Sequence, residues 1–303
     1  MTISSAQIKE LRERTGAGML DCKNVLTEVD GDLEKAIDVL REKGLAKAAK
    51  KAGRIAAEGL VRITLAENGS KAAIIEVNSE TDFVAKNQDF IDFVERLSDL
   101  SVESEPGLDG FLSVKYDETQ SVQDKLTNFI ATIGENISIR RFQKFNRPGT
   151  VYVGYLHAGG KIGVLVGLET AASIDAVTPL GRDIAMQIAS MNPLFIDESG
   201  VDPEYLEKEK EILIQQALNE GKPKDIVEKM VIGRLKKELK ETCLLEQKFV
   251  KNGELTVMQH LKDQVKQIGQ EIQIVEMIRY EVGEGIEKKE ENFAEEVAKQ
   301  MGN

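Results

Sequence analysis

Apolar residues recur at helical spacing over the first 45 or so positions and then switch to alternation near Gly59. In the first stretch Ser4 to Gln7 has the form of a capping box, Ile8 and Leu11 share a face, and Gly16 and Gly18 stop the helix. A second helix carries Met19, Cys22, Leu26 and Val29 up to a turn at Asp30-Gly31. A third starts at Asp32 as N-cap and repeats Leu33, Ala36, Ile37 and Leu40. These three predict a small bundle, too small to be an enzyme by itself. The basic run Arg41 to Arg54 then reads most simply as a solvated helical linker.

From Gly59, Val61, Ile63 and Leu65 fall on one face of a strand. A turn comes next at Glu67 to Ser70, and Ile75 and Val77 lie on one face of the return strand. Beyond this hairpin, Phe90, Phe93, Val94, Leu97 and Leu100 predict a helix capped by Asn87. Residues 102–118, with Pro106 and Gly107, look loop-like. A helix with Val122, Leu126, Phe129, Ile130 and Ile133 ends at Gly134, and a strand starts at Ile137 and Ile139. After Arg147-Pro148-Gly149 the plan repeats. A hairpin runs through Val151, Val153 and Tyr155, a turn at His157 to Lys161, and Ile162, Val164 and Val166. A helix from near Thr178-Pro179 carries Leu180, Ile184, Ile188 and Met191. A later one, capped by Thr256, carries Val257, Leu261, Val265 and Ile268 and leads to a strand with Ile274, Glu276, Ile278, Tyr280 and Val282.

The second unit holds an insertion. Asp202-Pro203 opens one long helix ending at Gly221, and Pro223 opens another with Val227, Met230, Val231, Leu235 and Leu239. That is an antiparallel helical hairpin, a protruding arm suited to interaction or self-association. The end of the chain turns acidic and closes on a short amphipathic helix with Phe293, Val297 and Met301. The fold class is α+β. The expected domains are a bundle with linker (1–54), a first core subdomain (55–148), a second in two parts (149–201 and 242–285), the arm (202–241) and a terminal module (286–303).

Composition narrows the function. No apolar run is long enough to span a bilayer, and the N-terminus lacks a leader's apolar core, so a cytoplasmic address is expected and no membrane partner. Cys22 and Cys243 lie far apart and His157 and His260 are the only histidines, which argues against a disulfide framework or a Cys/His zinc site. The net charge is -12, and residues 63–135 carry 5 basic against 15 acidic side chains. That balance argues against nucleic acid as the main partner. Neither histidine has a Ser or Cys motif near it, and the Gly154 to Lys161 run lacks the spacing and the Ser/Thr of a phosphate loop, so no enzyme and no cofactor are expected.

The stretch that stands out is Ser79 to Asn87, SETDFVAKN, a strand-to-helix turn. Two readings of Phe83 compete. It is either a core residue on the first turn of a helix or, with Asp82, an acid and aromatic pair offered to a partner. Glu80 and Asp82 could also form a carboxylate pair, though nothing else supplies a pocket.

Several long motifs carry a family resemblance. KELRERTGAGMLDCK (from Lys9), EVNSETDFVAKN (from Glu76), IGENISIRR (from Ile133), LHAGGKIGVLV (from Leu156), GKPKDIVEKMVIGRLKK (from Gly221) and RYEVGEGIEK (from Arg279) occur in order along nearly the whole chain. The sequence resembles the bacterial elongation factor Ts family, nucleotide exchange factors of the translation GTPase elongation factor Tu. The resemblance implies a ubiquitin-associated-like (UBA-like) N-terminal bundle, a two-part core, a coiled-coil dimerisation arm and a C-terminal module. It implies that Asp82 and Phe83, with Thr81 and Val84 of the same TDFV motif, enter the GTPase near its magnesium. It further implies partner contacts at Arg12 and Met19, with Leu20 beside them, at Ile133 and Gly134 next to the wedge, and at His157.

Overall fold

The structure, a computed structural model, describes residues 3–287 except 106 and 222. The terminal helix expected around Phe293, Val297 and Met301 lies outside the described residues. The fold mixes helices and small sheets, and the chain divides into two compact units: Met1–Arg62 with Ile75–Gln143 and the chain from Glu281, and Ile63–Ile74 with Lys144–Tyr280.

The first unit begins with α1 (Ser5–Thr15), α2 (Met19–Glu28) and α3 (Leu33–Lys51). At Ser4 both halves of the capping box form, the Gln7 amide donating to Ser4 Oγ and the Ser4 amide to Gln7 Oε1. Gly16 ends α1 in the left-handed region at φ 70°. Leu11, Cys22, Val25, Leu26 and Ala36 make the bundle's core. The run read as a solvated helical linker continues α3, helical to Lys51 and mostly exposed, with one small-residue face turned inward. It packs: a Cβ on Gly44 would stand 3.6 Å from Asn128 Oδ1, and Ala48 joins the core of the following sheet. Small side chains on that face let α3 lie against α7 (Val122–Ile133), where Arg41 also reaches Asp124 at 2.7 Å.

Strands β1 (Glu58–Leu65), β2 (Ala72–Ser79) and β3 (Ile137–Phe145) form a sheet in that order. As the middle strand, β2 is buried at every position, polar Glu76, Asn78 and Ser79 included. The alternation in β1 is likewise not one core face. Leu60 joins Ile75 and Val77 in the core while Val61 is buried on the opposite face, because a strand covered on both sides hides its second set of side chains from a period-two reading. Helices α5 (Gln88–Glu103) and α7 fill this core, with Phe93 and Phe129 stacked at 4.7 Å. Between them, the stretch expected as loop contains the single turn α6 (Leu108–Leu112), held by a fully buried Phe111 whose ring lies 4.7 Å from that of Phe142. A one-turn helix has no period to read.

The second unit repeats the plan. Strands β4 (Thr150–His157), β5 (Ile162–Thr170) and β8 (Ile272–Glu281) form a sheet in the order β4-β5-β8, with β4 and β5 antiparallel. Helix α8 (Ile174–Met191) starts a turn earlier than Thr178-Pro179, so Pro179 sits inside it. Gly181 brings α8 so close to β4 that a Cβ there would stand 2.5 Å from Val153 Cγ2. Helix α11 (Val257–Ile268) has a complete capping box at Thr256 and Gln259. A short ribbon of β6 (Lys248–Phe249) and β7 (Asn252–Thr256) had no alternation long enough to announce it; buried Gln187 accepts from the Val250 amide and donates to Lys248 O beside it.

The inserted helices are α9 (Pro203–Asn219) and α10 (Lys224–Thr242), with Pro203 in the first turn of α9. Tyr205 pairs with Glu238 and Glu220 with Arg234, a descending register that makes the two helices antiparallel. Their seam is Ala217, Val227 and Val231, flanked by Leu213, Ile214 and Leu218. No helix among the described residues is long and apolar enough to cross a membrane.

Candidate functional site

Buried strand β2 delivers the chain to Ser79, and three residues later α4 (Asp82–Ala85) begins, a single turn that could not stand alone. It is held at its start. Thr81 is the N-cap, in extended conformation, and its hydroxyl accepts from the Val84 amide. The same hydroxyl donates to Glu135 Oε1 at 2.7 Å, and the Thr81 amide donates to Glu135 Oε2 at 3.0 Å. Ser79 Oγ donates to the Thr81 carbonyl at 3.0 Å, so every polar group of Thr81 is engaged. In return Glu80 Oε1 accepts from the Asn136 amide at 2.5 Å, while the Asn136 side chain donates to the Arg54 carbonyl at 2.7 Å. Two consecutive residues of the turn are thus tied to two consecutive residues of the corner between α7 and β3.

On this clamp the side chains of α4 divide. Ala85 is buried and Val84 packs on the core of the first unit. Phe83 is 81% exposed, the largest exposure of any big apolar side chain described. Of the two readings of this ring, presentation outward is the one realised. Asp82 is bound to Lys86 at 2.6 Å, an i,i+4 pair whose hydrogen bond raises the lysine above its usual pKa. With Asp82 on Lys86 and Glu80 on Asn136, the two carboxylates offered as an acid/base pair are each bound to a different residue.

Ile133 and Gly134 end α7, one residue before Glu135. Gly134, at φ 88°, is the left-handed cap that turns the chain towards β3, and Ile133 packs half-buried on the core. Glu135 therefore brings these positions and the TDFV turn together. Arg12, Met19 and Leu20 are all exposed on the bundle, Met19 and Leu20 side by side at the start of α2. The end of α1, at Thr15 and Gly16, and the end of α7, at Thr132 and Ile133, line one surface cleft. His157 belongs to the second unit. It closes β4 opposite Ile162, exposed, with Nδ1 3.0 Å from the Tyr155 hydroxyl.

The clamp is what a reading of side-chain types overlooked. Glu135 stands beside the expected contact positions, yet only the fold brings it to a residue 54 places earlier. Glu76 is a second omission. Fully buried on β2, its carboxylate accepts from Arg140 at 3.0 Å, Arg141 at 2.6 Å and the Gly283 amide at 2.8 Å. Among the described residues no group of three His, Cys, Asp or Glu side chains is arranged to hold a metal ion.

Comparison with known proteins agrees with the motifs. A family model described as elongation factor TS matches residues 80–284. The chain is 55% identical over 300 residues to an elongation factor Ts of Clostridioides difficile (strain 630), covering 99% of each chain. It is 53% identical to elongation factor Ts proteins of Clostridium perfringens (strain 13 / Type A) and Clostridium novyi (strain NT), again over 99% of each chain.

Proposed function

The chain belongs to the elongation factor Ts family, and from that premise we propose that it binds elongation factor Tu and promotes GDP release by inserting Phe83, with Asp82 beside it, near that GTPase's magnesium and phosphate site. GTP then reloads the emptied site. The observation that carries this reading is the exposed ring of Phe83 on a turn fixed from both sides, an apolar probe that none of the described residues covers.

The physical logic needs no catalytic side chain. A GTPase holds its nucleotide through phosphate contacts and magnesium, so a factor that speeds release must bind the emptied or distorted form better than the loaded one. Linkage makes the effect reciprocal: free energy taken from nucleotide binding by the factor is taken from factor binding by the nucleotide. Thr81 and Val84 would flank the wedge, and Ile133 and Gly134 would meet the same partner beside it. Arg12, Met19 and Leu20 would anchor the bundle, and His157 would touch another domain. The exposure of Met19 and Leu20 favours this role, since neighbouring large apolar side chains left in water suit a docking surface.

In the same reading the bundle (1–54) is UBA-like, 55–148 and 149–201 with 242–285 are the two core subdomains, 286–303 is a C-terminal module, and the protein works in the cytoplasm. Stopped-flow release of labelled GDP from elongation factor Tu tests the function. Catalytic amounts of this protein should accelerate release; binding without acceleration would leave a scaffold and sink the exchange reading.

The arm (202–241) would pair with a second copy as a coiled coil. Ile212, Ile226 and Ile232 are exposed on it, outside the seam between its own two helices. Sedimentation velocity should then give a dimer that Ile232→Glu converts to monomer; a monomer at all concentrations for the unchanged protein would remove the proposal.

A further inference from the structure

The exposed ring raises a mechanical question. Phe83 makes no packing interaction strong enough to bury it, and α4 has four residues, so neither tertiary burial nor helix propensity holds the ring in place. Val84 and Ala85 seat the turn on the core, and polar bonds at Thr81 fix its start. The Thr81 hydroxyl has one proton, which is directed to Glu135 Oε1, and this leaves a lone pair for the Val84 amide that starts the turn. A neutral amide at position 135 has one oxygen where the carboxylate has two, so the two Thr81 donors would have to share it or one would face an N–H group. The carboxylate of Glu135 therefore aims the hydroxyl as well as holding the backbone.

We infer that Glu135 is a positioning residue for nucleotide exchange, acting through Thr81 to hold Phe83 in its projecting orientation. The inference rests on the reading of Phe83 as the wedge. It assigns to Glu135 no contact with the partner. The coupled bonds from Glu80 to Asn136 and from Asn136 to Arg54 hold the corner that carries Glu135, so the carboxylate pushes against a fixed support.

The test is a double-mutant cycle in the full chain with elongation factor Tu, using Glu135→Gln, Phe83→Ala and both together. Losing one charge-assisted hydrogen bond of about 1.4 kcal/mol shifts the population of the held turn about tenfold. Glu135→Gln should lower the maximal rate of GDP release about tenfold while leaving the half-saturating concentration within about twofold, because the anchoring surfaces are untouched. In the Phe83→Ala background the same change should have little further effect. Amide hydrogen exchange of the free protein should speed up at Thr81, Val84 and Ala85 and stay unchanged in β2 and α7. An unchanged release rate for Glu135→Gln beside a slow Phe83→Ala protein overturns the inference alone. So does a tenfold further loss in the double mutant, which would place Glu135 on a separate route, or a loss of protection spread through the whole unit. A Phe83→Ala protein that exchanges normally overturns the wedge reading, and this inference with it.

Discussion

Phe83→Ala should slow GDP release from elongation factor Tu by roughly 30- to 150-fold while leaving the protein as stable as before. The size comes from burial. A phenylalanine moved from water into a partner's interior is worth about 2–3 kcal/mol, and every 1.4 kcal/mol is about a factor of ten. The absence of a folding cost reflects the 81% exposure of the ring, since truncating a side chain already in water changes stability by less than about 0.5 kcal/mol. The partner should still bind, moderately weakened, because the bundle and second unit keep their surfaces. Stopped-flow release and a thermal melt check the two halves separately. A folded variant that releases GDP at the unchanged rate would refute the wedge.

Glu76→Ala should have the opposite signature, a large loss of stability. Its carboxylate is fully buried, and four donors converge on it: Arg140, Arg141, the Asn78 side-chain amide and the Gly283 amide. Removing one member of a buried ion network costs about 3–5 kcal/mol because the remaining charges lose their compensation. Here the lower end applies, as the stranded arginines keep about 27% and 31% side-chain exposure and can turn to water, and Arg141 retains its pair with Glu284 at 3.1 Å. A loss of about 3 kcal/mol is therefore expected, read as a lower urea midpoint. Glu76→Gln, which keeps the shape and one acceptor, should lose less. A midpoint shift worth under about 1 kcal/mol for the alanine variant would show that the network is not a principal support.

Where the chain announces itself, it does so by periodicity and caps. Ser4 with Gln7, Asp32, Asn87 and Thr256 each cap the helix expected of them, and the repeated hairpin, helix and strand plan is present in both sheets. Most of the misses trace to structure decided by residues remote in sequence. The second half of α3 is largely solvated as read, but the face of Gly44 and Ala48 that meets α7 was masked by the lysines around it. Helix α6 exists because Phe111 finds Phe142, and five residues cannot display a period. Pro179 suggested a helix start, yet it lies inside α8, five residues past Ile174, where it gives up one intrahelical hydrogen bond. At the site, the TDFV turn was legible as a turn and Phe83 as a choice between inside and outside. Exposure settled that choice. Glu135 could not be chosen from its own surroundings, since its role depends on a loop closure of 54 residues.

The buried carboxylate on β2 also has a meaning for synthesis. Its last donor, the Gly283 amide, comes 207 positions after it, and most of the second unit is threaded between them. As the polypeptide emerges from the ribosome, the first unit must wait for 207 further residues to be made before this charge is fully satisfied. Until then a nascent chain carries an unfinished first unit, open to chaperones and proteases, and its completion is timed by a residue made long after it.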